Sequence, residues 1–335
     1  MKRILFLGGT QFVGRHMVEA ALARGWQVSL FNRGKTNPGI FNGCQQLIGD
    51  RDGNLDALKN RSWDAVVDVN GYLPRLVADS TALLKGNVGQ YVFISTGSVY
   101  DFSKIKADND ESGPLETLED PTTEEYRGPA YGGLKVLCEQ KVAELHPDNH
   151  LILRLGVVAG PYDHSDRVTY WVTRMARGGE MLVPVHPYRP IQFIDARDLA
   201  QFTLLGVEKQ LTGIYNTKGN SISWHHFIDA CMQASESKAE VHWVDNYDFI
   251  SNAVDLRLKP YGAFPMVVAP DMAHLWTANN NKALKAGLVF RSALNTARDI
   301  LAWDATRPVD EERKAGLPVD AEQKLLEAWK NLKKD

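Results

Sequence analysis

The feature that most constrains this chain stands at its start. Lys2-Arg3-Ile4-Leu5-Phe6-Leu7 carries an apolar run, and Gly8-Gly9-Thr10-Gln11-Phe12-Val13-Gly14 follows at once. An apolar run, a glycine turn and an amphipathic segment read as strand, tight loop and helix. That arrangement seats a dinucleotide pyrophosphate on a helix N-terminus, where backbone N–H groups and the helix dipole favour negative charge. Gly8 allows the tight turn, and Gly14 lets the helix pack close to the sheet. Gln11 stands where the middle glycine of the usual spacing would be, so its long side chain lies near the expected pyrophosphate path. Gly8, Thr10, Gln11, Phe12, Val13 and Gly14 are the first cofactor candidates. Two glycines also suit an ordinary strand-to-helix turn, so the surroundings must decide.

Phe12, Val13, Met17, Val18, Ala21 and Leu22 recur at helical spacing as far as Arg24-Gly25, and Gln27-Val28-Ser29-Leu30-Phe31-Asn32 reads as a second strand. In a nucleotide-binding unit of this kind, the end of that strand lies beside the adenosine ribose, and NAD sites place an acid there. Here the residues are Asn32 and Arg33, with Lys35 close behind. A carboxylate would repel a 2′-phosphate, whereas arginine grips one with two parallel charge-assisted hydrogen bonds. The pattern favours NADP(H) over NAD(H). Solvated loop charges are the plainer reading of Arg33 and Lys35.

With 335 residues, 44% hydrophobic and 24% charged, the composition is that of a globular enzyme. The net charge of −3 gives no basic footprint for nucleic acid or an anionic membrane. Cys44, Cys138 and Cys231 lie far apart without metal-ligand spacing and read as reduced thiols of a cytoplasmic protein. The apolar start is too short for a signal-peptide core, and no stretch approaches the length of a membrane span. A small-molecule substrate is the expected partner, and a homodimer is the candidate assembly.

The first half alternates strand-like and helix-like runs. Strands are expected at Ile4–Leu7, Val28–Phe31, Gln46–Ile48, Ala65–Val69, Tyr91–Ile94 and Leu151–Leu155, with helices at Leu55–Lys59, Leu73–Leu84 and Gly133–Leu145. Near-continuous apolar strands between helices imply a doubly wound α/β fold of Rossmann type, its parallel sheet covered on both faces. Ligands of such sheets bind at the carboxyl ends of the strands. Residues 1–155 are expected to form the nucleotide-binding domain, with returning segments near 191–217, a helix at Asp195–Gly206 and a strand at Gly213–Asn216. Residues 156–335 are expected to build mostly a smaller substrate lobe and C-terminal helices, the last over Asp320–Leu332 with Leu325, Leu326, Trp329 and Leu332 on one face.

Two Tyr-x-x-x-Lys matches occur. Tyr100…Lys104 lies in a polar, loop-like run. Tyr131…Lys135 is followed by Val136, Leu137, Cys138, Val142 and Leu145 at helical spacing. Residues four apart on a helix share a face, so the Lys135 ammonium can sit by the Tyr131 hydroxyl. A positive charge there lowers a tyrosine pKa from about 10 towards neutral, which suits proton transfer at an alcohol or ketone oxygen. Tyr91-Val92-Phe93-Ile94-Ser95-Thr96-Gly97-Ser98 is a buried strand that ends in hydroxyl residues where the site should be. Thr96 is the best placed of them to donate to a substrate oxygen; Ser95 and Ser98 also suit turn or cap roles.

At this point the chain resembles the extended short-chain dehydrogenase/reductases, the group of NAD-dependent epimerases and dehydratases. The resemblance spans nearly the whole chain. It also rests on Arg154-Leu155-Gly156-Val157-Val158-Ala159-Gly160-Pro161, Gln192-Phe193-Ile194-Asp195-Ala196-Arg197-Asp198-Leu199-Ala200 and Gly213-Ile214-Tyr215-Asn216. Gly-Gly-Thr-x-Phe-x-Gly with Asn32-Arg33-Gly34 is most similar to an atypical branch of reductase-like bacterial proteins and chloroplast stem-loop-binding proteins. The resemblance implies Thr96, Tyr131 and Lys135 as the catalytic triad and places Lys135 on the nicotinamide ribose. It places Asp50 near the adenine, with Arg51 and Val69 completing the cofactor set.

Departures from the family pattern narrow the chemistry. Gly97 and Ser98 stand where sugar dehydratases carry an acid pair. Val157 stands where nucleotide-sugar enzymes carry a substrate-binding asparagine. The substrate-facing set is Ser98, Val157, His164, Arg189 and Gln192, and no metal site is expected. Trp171, Tyr188, Trp224, Trp243, Phe264 and Trp276 could line a pocket for an uncharged molecule, with at least half of them expected in the core. The leading expectation is an NADP(H)-dependent oxidoreductase acting on a small ketone or secondary alcohol. The alternatives are a nucleotide-sugar epimerase with bound NAD(P), an RNA-binding protein and a cofactor-sensing regulator.

Overall fold

A computed structural model describes residues 1–333. The chain divides into two compact units. The first comprises Met1–Val158, Ala196–Gly219 and Ala278–Phe290; the second comprises Ala159–Asp195, Asn220–Thr277 and the chain from Arg291 onward.

In chain order the strands are β1 (Arg3–Leu7), β2 (Gln27–Asn32), β3 (Gln45–Ile48), β4 (Ala65–Asp68), β5 (Tyr91–Thr96), β6 (His150–Leu155), β7 (Val157–Ala159), β8 (Glu180–Val183), β9 (Pro190–Asp195), β10 (Gly213–Thr217), β11 (Ser221–Ser223) and β12 (Glu240–Trp243). The first unit is built on a seven-stranded sheet in the order β10-β6-β5-β4-β1-β2-β3. Every neighbouring pair in it is parallel. This is the expected Rossmann-type architecture. Ile4, Leu5, Phe6, Val66, Val67, Val92 and Phe93 are fully buried, as strands covered on both faces must be. The strand order runs outward from β1 in both directions. The crevice beyond the carboxyl ends of β1 and β4 is therefore the ligand position of the fold.

Helix Phe12–Ala23 packs on helix Ala196–Glu208, and helix Pro74–Leu84 packs on helix Tyr131–Leu145. The run Leu55–Lys59 forms only a 3-10 turn over Asp56–Leu58, because it buries a single side chain, Leu58, and is too short to propagate. The chain returns to this unit twice. Ala196–Gly219 supplies β10. Ala278–Phe290, which the sequence reading assigns to the smaller lobe, also belongs here. Lys282 Nζ donates to the Ile214 carbonyl at 2.7 Å, and Asn280 Nδ2 donates to the carbonyls of Lys218 and Gly219 at 2.9 and 3.1 Å.

In the second unit β8 pairs in parallel with β12, and β9 pairs antiparallel with β11. Helices Arg167–Ala176, Trp224–Ser235 and Ala293–Asp304 pack on one another. Trp171, Trp224 and Phe264 are core, with Trp171 edge-on to Trp224 at 4.9 Å. The C-terminal helix Val319–Leu332 is a packed helix. It buries Leu325 and Leu326, and its buried Glu322 accepts from Arg174 Nε at 2.5 Å. Among the described residues no helix is long and apolar enough to cross a membrane.

Candidate active site

The glycine loop is built by close approach. Gly8 and Gly9 hold φ of +98° and +99°, a region that L side chains rarely adopt. A Cβ on Gly14 would lie 2.8 Å from the Cα of Gly9, so the helix start rests directly on the loop backbone. Gly9 is thus as necessary as Gly8 and Gly14; the sequence reading passes over it because the expected spacing skips that position. Gln11 precedes the helix, is exposed, and makes no side-chain cap. Gly8 lies against Val69, since a Cβ there would meet Val69 Cγ2 at 3.6 Å. The loop after β2 folds back on the glycine loop, with Asn37 Nδ2 donating to the Thr10 carbonyl at 2.8 Å.

At the end of β2, Asn32 Oδ1 accepts from the Gly34 N–H at 2.7 Å, and its buried Nδ2 has no hydrogen-bond partner. Arg33 and Lys35 are exposed, and no acid occupies this strand end. Asp50 Oδ1 accepts from the Asp52 N–H at 3.1 Å. Arg51 is engaged elsewhere. It makes a two-pronged pair with the fully buried Asp68 at 2.7 and 2.5 Å and also donates to Ser80 Oγ and the Leu76 carbonyl. Tyr91 donates to the same carboxylate at 2.9 Å. Burial works to raise the Asp68 pKa, but the Arg51 charge outweighs it and holds that carboxyl below the ordinary range. Arg51 thereby braces the strand ends.

Helix Tyr131–Leu145 begins against the 3-10 turn Gly97–Val99. A Cβ on Gly132 would lie 2.1 Å from the Ser98 carbonyl, so only glycine permits this approach. One turn on, Lys135 is buried. Its Nζ donates to the Gly71 carbonyl at 2.7 Å and to the Ile94 carbonyl at 2.8 Å, and it stands over the Phe93 ring at 4.0 Å. Burial pushes its pKa down to about 8. The Tyr131 and Tyr72 rings are 6.5 Å apart. Thr96 Oγ1 accepts from the Ser98 N–H at 3.1 Å and lies 3.3 Å from Ser98 Oγ. The backbone thus gathers Thr96, Ser98, Tyr131 and Lys135 at the ends of β4 and β5.

The other tyrosine–lysine pair is of a different kind. Tyr100 is fully buried; its hydroxyl donates to Asn216 Oδ1 at 2.7 Å and accepts from Arg154 at 3.0 Å. Burial pushes its pKa up to about 12, which unfits it for proton transfer near neutrality. Lys104 pairs with Asp101 instead. Arg154 makes a two-pronged contact with buried Glu139, which also accepts from Ser95 Oγ at 2.5 Å. Ser95 is therefore a structural hydroxyl. Val157 is buried in the first unit. In the second unit, His164 is exposed, Arg189 pairs with Asp245 at 2.7 Å, and Gln192 is buried in β9.

Residues 4–217 match the model of the NAD dependent epimerase/dehydratase family. The chain belongs to that family. This family member is similar to the chloroplast stem-loop binding protein of 41 kDa b from Arabidopsis thaliana, at 26% identity over 252 residues, 70% of its own length. It spans 63% of the length of that relative. Its fold is similar to that of the Bordetella bronchiseptica enzyme WbmH in complex with NAD+, with a TM-score of 0.65, 18% identity and coverage of 92% of this chain and 100% of that one. It is likewise similar to UDP-glucuronic acid 4-epimerase from Bacillus cereus in complex with NAD, with a TM-score of 0.64, 16% identity and coverage of 90% and 96%. The family description implies a nicotinamide dinucleotide. The glycine loop fits that group, because Gly8 and Gly9 turn the chain at positive φ, Gly14 lets the helix start rest on the loop backbone, and the loop carries no acid.

Proposed function

We propose that this protein transfers hydride between NADP(H) and a small ketone or secondary alcohol, with Tyr131 as the proton donor and acceptor. One observation carries the reading. The Lys135 ammonium, one helical turn from Tyr131, is fixed to the carbonyl of Ile94, two residues before Thr96 on the same strand. Proton transfer and oxygen binding then share one rigid frame. The loop Gly8–Gly14 would hold the pyrophosphate, Arg33 and Lys35 a 2′-phosphate, Asp50 the adenine side and Lys135 the nicotinamide ribose. The bound dinucleotide supplies or accepts the hydride. Thr96 donates to the substrate oxygen as it gains charge, Tyr131 delivers the proton to that oxygen, and the Lys135 charge favours the tyrosinate that results.

A second reading, a nucleotide-sugar 4-epimerase, is favoured by the fold likeness to such enzymes. It begins with the same proton and hydride removal at a carbinol carbon. Val157 offers no hydrogen bond to a sugar nucleotide, and Gly97-Ser98 offers no acid pair for dehydration, which favours the first reading. The net charge of −3 argues against RNA as a partner. NADPH oxidation with a panel of ketones and aldehydes, run beside NMR of UDP-sugars, tests the proposal. Stoichiometric NADPH consumption with a ketone is expected. Epimerisation of a UDP-sugar without net cofactor consumption would overturn it in favour of the epimerase.

A further inference from the structure

Lys218, directly after β10, sends its side chain across the carboxyl edge of the sheet. A Cβ on Gly156, beyond β6, would lie 3.1 Å from Lys218 Cγ. A Cβ on Gly97, beyond β5, would lie 3.0 Å from Lys218 Nζ. The strand order is β10-β6-β5, so the lysine reaches two strands over, along a path left open by two glycines. Its ammonium ends beside the residue that follows Thr96. The backbone is pinned by Asn280, which donates to the Lys218 carbonyl.

The charge at the end of this path has no counter-charge. Among the described residues, no hydrogen bond or ion pair reaches Lys218 Nζ, which stands over the Tyr100 ring at 5.4 Å from its centroid. Lys218 is 7% exposed. The carboxylates nearby are engaged: Glu139 holds Arg154 and Ser95, and Glu111 accepts from the Asn216 N–H at 2.7 Å. Burial, and after it the like charge of Arg154, lower the lysine to about 8. A buried cation without a partner is costly unless something supplies the anion. We propose that Lys218 binds an anionic group, carboxylate or phosphoryl, of the substrate beside the reacting carbon. This rests on the catalytic reading of Thr96 and Tyr131, and it replaces the uncharged substrate expected from the aromatic residues with an acidic one.

The test uses the full chain loaded with NADPH, so that the glycine loop is already filled. Oxalate and inorganic phosphate are titrated by calorimetry at matched ionic strength into the wild type and into Lys218→Met. NADPH uptake, measured first on both proteins, reports on the nucleotide reading alone. At least one anion should bind the wild type, and the oxalate and phosphate arms distinguish the two groups. Binding should fall about 10- to 100-fold in Lys218→Met, the scale of a hydrogen bond to a charged group. In the wild type, the same anion should protect Lys218 from reductive methylation, read by peptide mass, at concentrations that follow its affinity. Failure of both anions to bind the wild type, equal affinity in Lys218→Met, or methylation of Lys218 unaffected by a bound anion would each overturn the proposal.

Discussion

Lys135 and Lys218 are both buried at the carboxyl end of one parallel sheet, and burial brings both down to about 8. Their surroundings differ. Lys135 donates to two backbone carbonyls, Gly71 and Ile94, and so joins the ends of β4 and β5. Lys218 lies across two glycines and reaches no acceptor among the described residues. The first is a cation that the fold itself satisfies with two carbonyls, one helical turn from Tyr131. The second is a cation that the fold leaves for a ligand. The two hydrogen bonds of Lys135 offset the burial of its charge, and among the described residues Lys218 makes none that would do so.

The largest effect should come from the tyrosine beside Lys135. Tyr131→Phe is expected to lower turnover about 10²- to 10⁴-fold with NADPH binding retained. Tyr100→Phe, by contrast, should lose stability through Asn216 and Arg154 and leave the pH profile of turnover unchanged. Steady-state kinetics on both variants checks this; an unimpaired Tyr131→Phe breaks the contrast. Next in size, Lys135→Met leaves the Gly71 and Ile94 carbonyls without a donor. It should destabilise the protein by about 1–3 kcal/mol for each carbonyl that stays buried and unsatisfied, read by denaturant titration.

A smaller effect is expected at the nucleotide side. Arg33→Ala should weaken NADPH by about 1.5–3 kcal/mol in calorimetry and leave NADH nearly unchanged. Smallest, and opposite in sign to Lys135→Met, Lys218→Met should melt higher than the wild type at pH 7, by about 2–4 °C for each kcal/mol recovered. The pH dependence follows from the lowered lysine. Below about 8 the wild-type ammonium is charged and penalised in the folded state. Between about 8 and the ordinary lysine value of about 10.5 the unfolded chain binds the extra proton, so this penalty is relieved as pH rises. The advantage of Lys218→Met should therefore fade across that window. Arg154 and the Tyr100 ring are the groups that face the ammonium, and Arg154 stays charged throughout. A lower melting point for Lys218→Met would make the two lysines alike.

The sheet was legible because its strands are near-continuous apolar runs between helical repeats, and only a parallel sheet covered on both faces uses such strands. The helix that sets Tyr131 and Lys135 one turn apart was legible from its spacing, since local geometry fixes which positions share a helix face. Neither Gly9 nor Lys218 carries a local signal. Gly9 matters because Gly14 presses on its backbone, a contact between residues that the usual spacing does not pair. Lys218 matters because β10 lies next to β6 and β5, and strand order is not written in the sequence around it. Arg51 is a similar case. Its neighbour Asp50 suggests a nucleotide contact, but Asp68, seventeen residues on, claims its guanidinium. The segment Ala278–Phe290 returns through one asparagine side chain, Asn280, and one lysine, Lys282, that donate to carbonyls of β10 and the turn after it, a pattern without hydrophobic periodicity.

The most direct test of the account is calorimetric titration of the wild-type protein with NADPH and with NADH under the same conditions. The glycine cradle, the acid-free end of β2 and the exposed Arg33 predict that both bind and that NADPH binds at least about tenfold tighter, the scale of one hydrogen bond to a charged group. Binding of neither dinucleotide, or tighter binding of NADH, would contradict it.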